Sequence, residues 1–302
     1  MNFCILISTC DKHADLAVLT IDLIHKRWKD HPSIFECGVS RPIPGAVETL
    51  PLKNDEWDWV GIAESAAGAL MEKGYQQCYL ILEDHPPLQP CNETHLNSTL
   101  PALMEKLDAA YIGLYGWGQN TRSAGKSLSA EFYRLQHQEE TFLWQYSLHP
   151  ALWRLEALKA VLNALPMIEG DAASRSAWAF ERRSGSLQSQ IPAEWRGRAY
   201  RVYGLGMLGG QFRLVRRAAR RMLFIAVNLT VLIAGKLMGS AARDRLLNFV
   251  LSETLFFDGP YPMYWSGVMQ KGSLNKNFEK FLLLRRRNRE LSNFRAVIRK
   301  DV

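Results

Sequence analysis

Apolar runs alternate with amphipathic stretches from the start of the chain. Residues 3–9, FCILIST, form a short continuous apolar run, the pattern of a buried strand. Residues 14–28 place Leu16, Leu19, Leu23 and Ile24 at helical spacing. A second strand is expected near Ser33–Cys37, then a helix from Trp57 to Lys73 closed by Gly74. Cys78–Leu82 reads as a further strand, 96–108 as a helix and 109–114 as another strand. Strand alternating with helix predicts an α/β fold with a mostly parallel sheet covered on both faces. Such sheets bind ligands beyond the C-terminal ends of their strands. Two polar clusters fall at such exits: Thr9-Cys10-Asp11, and Glu83-Asp84-His85, where Pro86 and Pro87 stop the strand.

The pattern then changes. Residues 115–145 are polar and loop-rich, with short strands expected at 131–135 and 141–145. Residues 147–165 predict a helix with Pro150 in its first turn and an apolar face of Leu152, Leu155, Leu158, Val161 and Leu162. A Gly/Ser/Ala-rich stretch follows, and 199–203 reads as a strand. Residues 213–221 carry five arginines. From 222 the chain is almost wholly apolar to Gly239, with Lys236 its single charge, and Arg243 and Arg245 come next. About 18 apolar residues stand at the lower limit for a membrane span. Flanking arginines, with Asn228 and Thr230 inside the run, favour a helix lying at a membrane surface. The alternative is a buried core helix with a basic lead-in. A last basic helix is expected from Phe278 to Lys300, or a solvated tail.

Charge sharpens this division. The net charge is +7, yet residues 201–302 hold 19 Lys and Arg against 6 Asp and Glu, so the earlier part is acidic. A basic last third points to phosphate, on lipid, nucleic acid or a charged polymer. Nucleic acid is disfavoured, because aromatic residues are not interleaved with the basic runs as stacking platforms. Five cysteines without a C-x-x-C pair argue for reduced thiols. The opening residues read as a strand rather than a signal peptide. Residues 204–209, GLGMLG, match a dinucleotide-binding pattern in letters only, with no acid about 20 residues on. Asn92, Asn97 and Asn228 head glycosylation sequons that need a secreted context to matter. No H-E-x-x-H zinc motif and no G-x-S-x-G elbow occurs.

Four stretches in order, ILISTCDKHADL, YLILEDHPPL, SLHPALWRLEAL and SAWAFERR, resemble bacterial glycosyltransferases of the GT-A type. These lie in the nucleotide-diphospho-sugar transferase superfamily, near a polysaccharide-biosynthesis group. The likeness covers about residues 3–185 and resumes at 261–274. It implies a GT-A-like, Rossmann-like sheet and a sugar-nucleotide donor. In such enzymes a divalent metal at an Asp-x-Asp type motif neutralises the departing diphosphate. The resemblance carries that role to Asp84, with Glu83 toward the donor ribose or sugar and Mn²⁺ or Mg²⁺ as the ion. His85 departs from the pattern, which has an aromatic or a second acid there. It would ligate the metal or, protonated, bind the diphosphate directly. Thr9, Asp11, Asn54 and Asp55 would border the nucleotide, with Trp57 beside them or simply packing.

Glu181 is the candidate general base of an inverting transfer. The aromatic residues before it should bury its carboxyl and raise its pKa; the alternative is a surface ion pair with Arg182 or Arg183. His149, Trp153, Trp178, Tyr264 and Trp265 would line the acceptor or sugar pocket. The expected organisation is a GT-A-like domain over 1–212, a basic-apolar membrane-associating arm at 213–250, a return to the catalytic domain over 251–277 and a basic end at 278–302. The expected acceptor is a glycan or a lipid-linked sugar, reached from the cytoplasmic face of the membrane through the arm and its anionic lipids. The competing reading is a non-catalytic, membrane-associated module of the same fold that binds a glycan or a partner.

Overall fold

The structure is a computed structural model. It describes residues 2–51, 55, 57–115, 128–129, 134–137, 146–166, 168, 171–183, 189–203, 230, 233, 236–237, 239, 256–257 and 259–298. Asn54, the expected strand at 141–145 and most of the 213–250 arm lie outside these residues. The chain divides into two units, 1–204 with 259–262, and 205–258 with 263–302.

The first unit is built on a nine-stranded sheet ordered β3-β2-β1-β4-β8-β5-β9-β7-β6. Its strands are β1 (Phe3–Ser8), β2 (Ile34–Cys37), β3 (Glu48–Thr49), β4 (Gln77–Leu82), β5 (Tyr111–Gly113), β6 (Leu128–Ser129), β7 (Arg134–His137), β8 (Ala151–Arg154) and β9 (Ala199–Tyr203). Strands β3, β2, β1 and β4 run parallel, β8 runs against them, and β5 and β9 return to the first direction. The sheet is therefore mostly parallel and flanked by helices, compatible with a Rossmann-like arrangement.

One face packs on α2 (Trp59–Glu72) and α4 (Leu155–Asn163), with Cys4, Leu6, Cys78 and Leu80 pointing into that core. The other face meets α1 (Ala14–Arg27), and Trp28, just past its end, stands edge-on to Tyr79 at 5.3 Å. A π-helical turn (His95–Thr99) leads into α3 (Leu100–Lys106) on that side, and the Tyr79 hydroxyl donates to the Leu96 carbonyl. Helix α2 begins one residue after Asp58, whose carboxylate caps Gly61 N at 2.9 Å and pairs with Arg175 at 2.7 Å. Trp57 therefore precedes the helix and is exposed.

The helix expected over 147–165 is corrected. Residues Ala151–Arg154 form β8, which fills the slot between β4 and β5, and the helix starts only at Leu155. Ala151, Leu152 and Trp153 are all fully buried. A strand buried on both faces reads as an unbroken apolar run, and periodicity does not separate it from the helix that follows.

Glu36 lies in β2 with no exposed surface. Burial raises its pKa from 4.5 to about 7, partly offset by Thr49, with the Asp11 charge adding to the rise. An acid raised by folding keeps its proton after the unfolded chain has released its own. The protonated form's contribution is complete below about pH 4.5 and is lost as the pH climbs through about 7. Glu36→Gln should remove that decline. Urea unfolding at about pH 5 and about pH 8 should differ by roughly 2.5 kcal/mol less in the variant than in the wild type.

In the second unit β10 (Phe256–Phe257) pairs with β11 (Met263–Tyr264), and β12 (Met269–Gln270) with β13 (Ser273–Leu274). Asn275 caps α6 (Lys276–Leu284) by accepting from Asn277 N and Phe278 N. Helix α7 (Asn288–Ile298) follows. The single helix expected from Phe278 to Lys300 is thus two. Arg286 sits at φ 54°, and Arg286 N and Arg287 N bond back to the carbonyls of Leu283 and Leu282, which closes α6. Glu279 and Arg295 pair across the two helices, and Phe278 stands edge-on to Phe294 at 5.0 Å.

Candidate active site

The exits of β1 and β4 are neighbours because their strands are paired in register, Ser8 opposite Leu82. Glu83 N donates to the Ser8 carbonyl at 3.3 Å, and the Glu83 carbonyl accepts from Thr20 Oγ1 at 2.5 Å. Thr9 N donates to the Cys37 carbonyl at 3.1 Å, tying the β1 exit to β2. Asp11 accepts from Ser40 N at 2.9 Å. That bond holds its carboxyl below its ordinary value, with Arg41 helping, and the residue is exposed. Thr9 and Asp11 therefore stand on one rim with Glu83 and Asp84. Asp55 is exposed, and its carbonyl accepts from Asp58 N.

At the β4 exit the backbone turns at once, His85 N bonding the Leu82 carbonyl at 3.1 Å. The hydroxyl of Tyr261 donates to the His85 carbonyl at 2.9 Å and locks the turn from below. Burial pushes the Glu83 carboxyl up to about 8, with the Asp84 charge adding to it. Asp84 Oδ1 lies 2.7 Å from His85 Nδ1.

His85 in turn meets His149, their rings edge-on with centroids 5.2 Å apart. His149 stacks on Tyr115, just beyond β5, at 5.2 Å. The Ser147 hydroxyl accepts from His149 N at 3.1 Å and lies 2.6 Å from His149 Nδ1, which sets the ring. Glu181 completes the group from α5 (Ala177–Arg183). Its Oε1 accepts from Leu148 N at 3.2 Å and lies 3.9 Å from His149 Nδ1. Burial raises the Glu181 pKa; the Leu148 bond, His85, Arg201 and Ser147 pull it back in part. Helix α5 is seated by buried Phe180, which packs on Trp59 at 5.4 Å, and Trp59 Nε1 donates to Ser8 Oγ at 2.9 Å. One indole thus links the helix bearing Glu181 to the β1 exit.

The structure therefore gathers Asp84, His85, His149 and Glu181 from three distant segments. Trp178, one turn before Glu181, is exposed. Trp153 is elsewhere: it lies at 0% exposure in the core, stacked on Tyr146 at 5.3 Å and edge-on to Tyr111 at 4.7 Å. Strand alternation on β8 turns it away from the rim. Tyr264 and Trp265 belong to the second unit, where Tyr264 is buried against Phe278 and Phe281. Tyr115, Ser147, Trp59 and Arg201 were not singled out in the sequence. Ser147 shares a motif with His149, whereas Arg201 reaches Glu181 only because β9 pairs with β5, Arg201 opposite Gly113.

Among the described residues no three His, Cys, Asp or Glu are grouped to hold a metal ion. At the β4 exit the partly exposed Asp84 carboxylate stands beside the His85 imidazole. Magnesium-type sites need only one or two carboxylates when substrate phosphates and water complete the shell. The residues fit an ion shared with a phosphorylated ligand and do not form a cage of their own.

No protein-family model and no curated protein sequence matches the chain. Among solved structures, a glycosyltransferase involved in the glycosylation of the major capsid of PBCV-1 aligns at 12% identity with a TM-score of 0.33, over 65% of this chain and 80% of its own. S. aureus TarS aligns at 11% identity with a TM-score of 0.36, over 99% of this chain and 55% of its own. Likenesses this distant assign nothing, and the functional reading rests on the site.

Proposed function

We propose that the protein is a GT-A type glycosyltransferase that moves a sugar from a nucleotide-sugar donor to a hydroxyl of a glycan or lipid-linked acceptor, with inversion. The observation that carries this reading is the convergence of Asp84, His85, His149 and Glu181 at the exit of a central parallel strand. These residues lie on three of the four sequence motifs that resemble the transferases.

Glu181 is the general base. It takes the proton of the acceptor hydroxyl as that oxygen forms its bond to the anomeric carbon. The bond from that carbon to the diphosphate breaks, and the nucleoside diphosphate leaves with its electron pair. A semi-buried carboxylate with a raised pKa is a stronger base than an exposed one. His149, held by Ser147 and Tyr115, orients the carboxylate from one side. Thr9 and Asp11 contact the nucleoside, and Asp84, with one carboxylate oxygen fixed by His85, would hold Mn²⁺ or Mg²⁺ against the diphosphate. A bound ion would neutralise charge on the departing diphosphate. Arg201 adds a fixed positive charge near Glu181. The 213–250 arm would hold the protein on the cytoplasmic membrane face, next to lipid-linked acceptors.

The same Asp84–His85 contact favours a second reading, a non-catalytic binding module, because it occupies a carboxylate oxygen that a metal would use. Melting temperature against a panel of nucleoside diphosphates, with Mn²⁺, Mg²⁺ or EDTA, separates the two. A ligand at about 100 times its Kd should stabilise the wild type by roughly 2.7 kcal/mol. The shift should depend on metal and vanish in Asp84→Ala. A shift that ignores EDTA would move the diphosphate contact to His85 and the basic residues. No shift with any nucleotide would favour the binding module.

A further inference from the structure

The second unit carries a surface that the transfer chemistry does not use. Among the described residues eight large apolar side chains are exposed, and four of them belong to this unit: Ile233, Leu237, Leu283 and Leu284. Leu283 and Leu284 are 48% and 50% exposed on the last turn of α6. Ile233 and Leu237, at 53% and 79%, are helical residues within the apolar run.

The charges around the leucines are arranged unevenly. Arg287 is held by Glu290 at 2.5 Å, and Arg295 by Glu279. The Arg285 guanidinium lies over Phe256 and Phe281, 4.9 and 4.6 Å from the ring centres. Arg286 and Arg289 are exposed and make no ion pair among the described residues. The turn that closes α6 places Arg286, two residues after Leu284, in a left-handed conformation at φ 54°. Two exposed leucines, followed within five residues by two arginines that make no ion pair among the described residues, match a surface that is apolar below and anionic above. A nucleic acid would satisfy the arginines and leave the leucines in water. No helix among the described residues is long and apolar enough to cross a membrane. Exposed leucines with arginines close in sequence are the chemistry of an interfacial contact.

We propose that the corner between α6 and α7, residues 283–289, docks on an anionic lipid surface. Leu283 and Leu284 enter the boundary between headgroups and acyl chains, and Arg286 and Arg289 pair with lipid phosphates. The inference rests on the second unit alone and is independent of the glycosyl-transfer reading.

The test is sedimentation of the full chain with vesicles of phosphatidylcholine, with and without phosphatidylglycerol. Wild type should bind the anionic vesicles and release them as salt rises. The double variant Leu283→Ser/Leu284→Ser should bind at least about tenfold more weakly, and Arg286→Ala/Arg289→Ala should lose about tenfold and flatten the salt dependence. All four positions are exposed, so melting temperatures should match the wild type, and any nucleotide-dependent shift should persist in both variants. Wild-type vesicle affinity in the leucine variant would overturn the proposal and leave attachment to 213–250. Duplex DNA binding without vesicle binding would overturn it in favour of nucleic acid. A concentration-dependent dimer broken by the leucine variant, again without vesicle binding, would overturn it in favour of self-association.

Discussion

Replacing Glu181 with Gln is expected to lower kcat by about 10²–10⁴-fold while leaving donor affinity within about twofold of wild type. Gln is nearly isosteric and its amide oxygen still accepts from Leu148 N, so the local turn survives. What is lost is the ability to take a proton. The split between kcat and donor affinity distinguishes a base from a residue that merely holds the fold. The wild-type pH profile supplies a second readout. Burial raises the Glu181 pKa, so the carboxylate is protonated over a wider acidic range than an exposed Glu. The acid limb of kcat/KM should therefore lie above the ordinary carboxylate range. Unchanged turnover in Glu181→Gln would remove this residue from the chemistry.

Gly38→Ala is expected to cost about 4 kcal/mol, the upper range for a single substitution. Gly38 follows β2 at φ +95°, a conformation that L side chains rarely adopt. A Cβ there would lie 2.0 Å from the Thr9 carbonyl oxygen. The obstacle is backbone, and Thr9 is itself held by its bond to the Cys37 carbonyl. Relief must therefore shift the exit of β1, where the nucleoside is expected to bind. Gly74 is the control. It has a similar φ of +85° with nothing within 4 Å of a built Cβ, so Gly74→Ala should cost only about 1 kcal/mol. Urea unfolding of both variants measures the difference. Equal losses would mean that backbone conformation alone, and not the approach to Thr9, sets the cost.

The parts of the fold that were legible in the sequence are those where one pattern has one meaning. FCILIST and CYLIL are bounded apolar runs, and both are central strands. Gly74 and the amphipathic run before it mark α2 and its end. The failures have physical causes. β8 and α4 share a continuous apolar run, and the antiparallel slot that makes Ala151–Arg154 a strand exists only in the assembled sheet. The break between α6 and α7 depends on Arg286 adopting a positive φ, where a glycine would have been the signal.

The site divides in the same way. Asp84 and His85 follow from a strand exit, and the motif containing His149 was visible, but His149 meets His85 through tertiary packing. Trp153 was misplaced with β8, because a strand aims it into the core where a helix would leave it free to point elsewhere. Arg201 and Tyr115 carry no local pattern at all. They belong to the site through the β5–β9 pairing and the stack on His149.

The most direct measurement is release of nucleoside diphosphate from a panel of nucleotide sugars, with and without Mn²⁺, by wild type, Asp84→Ala and Glu181→Gln. The expected result is release from one class of donor by the wild type, and its loss in both variants at unchanged melting temperature. Release from no donor by a folded wild type that still binds nucleoside diphosphates, with or without added glycan acceptors, would contradict glycosyl transfer.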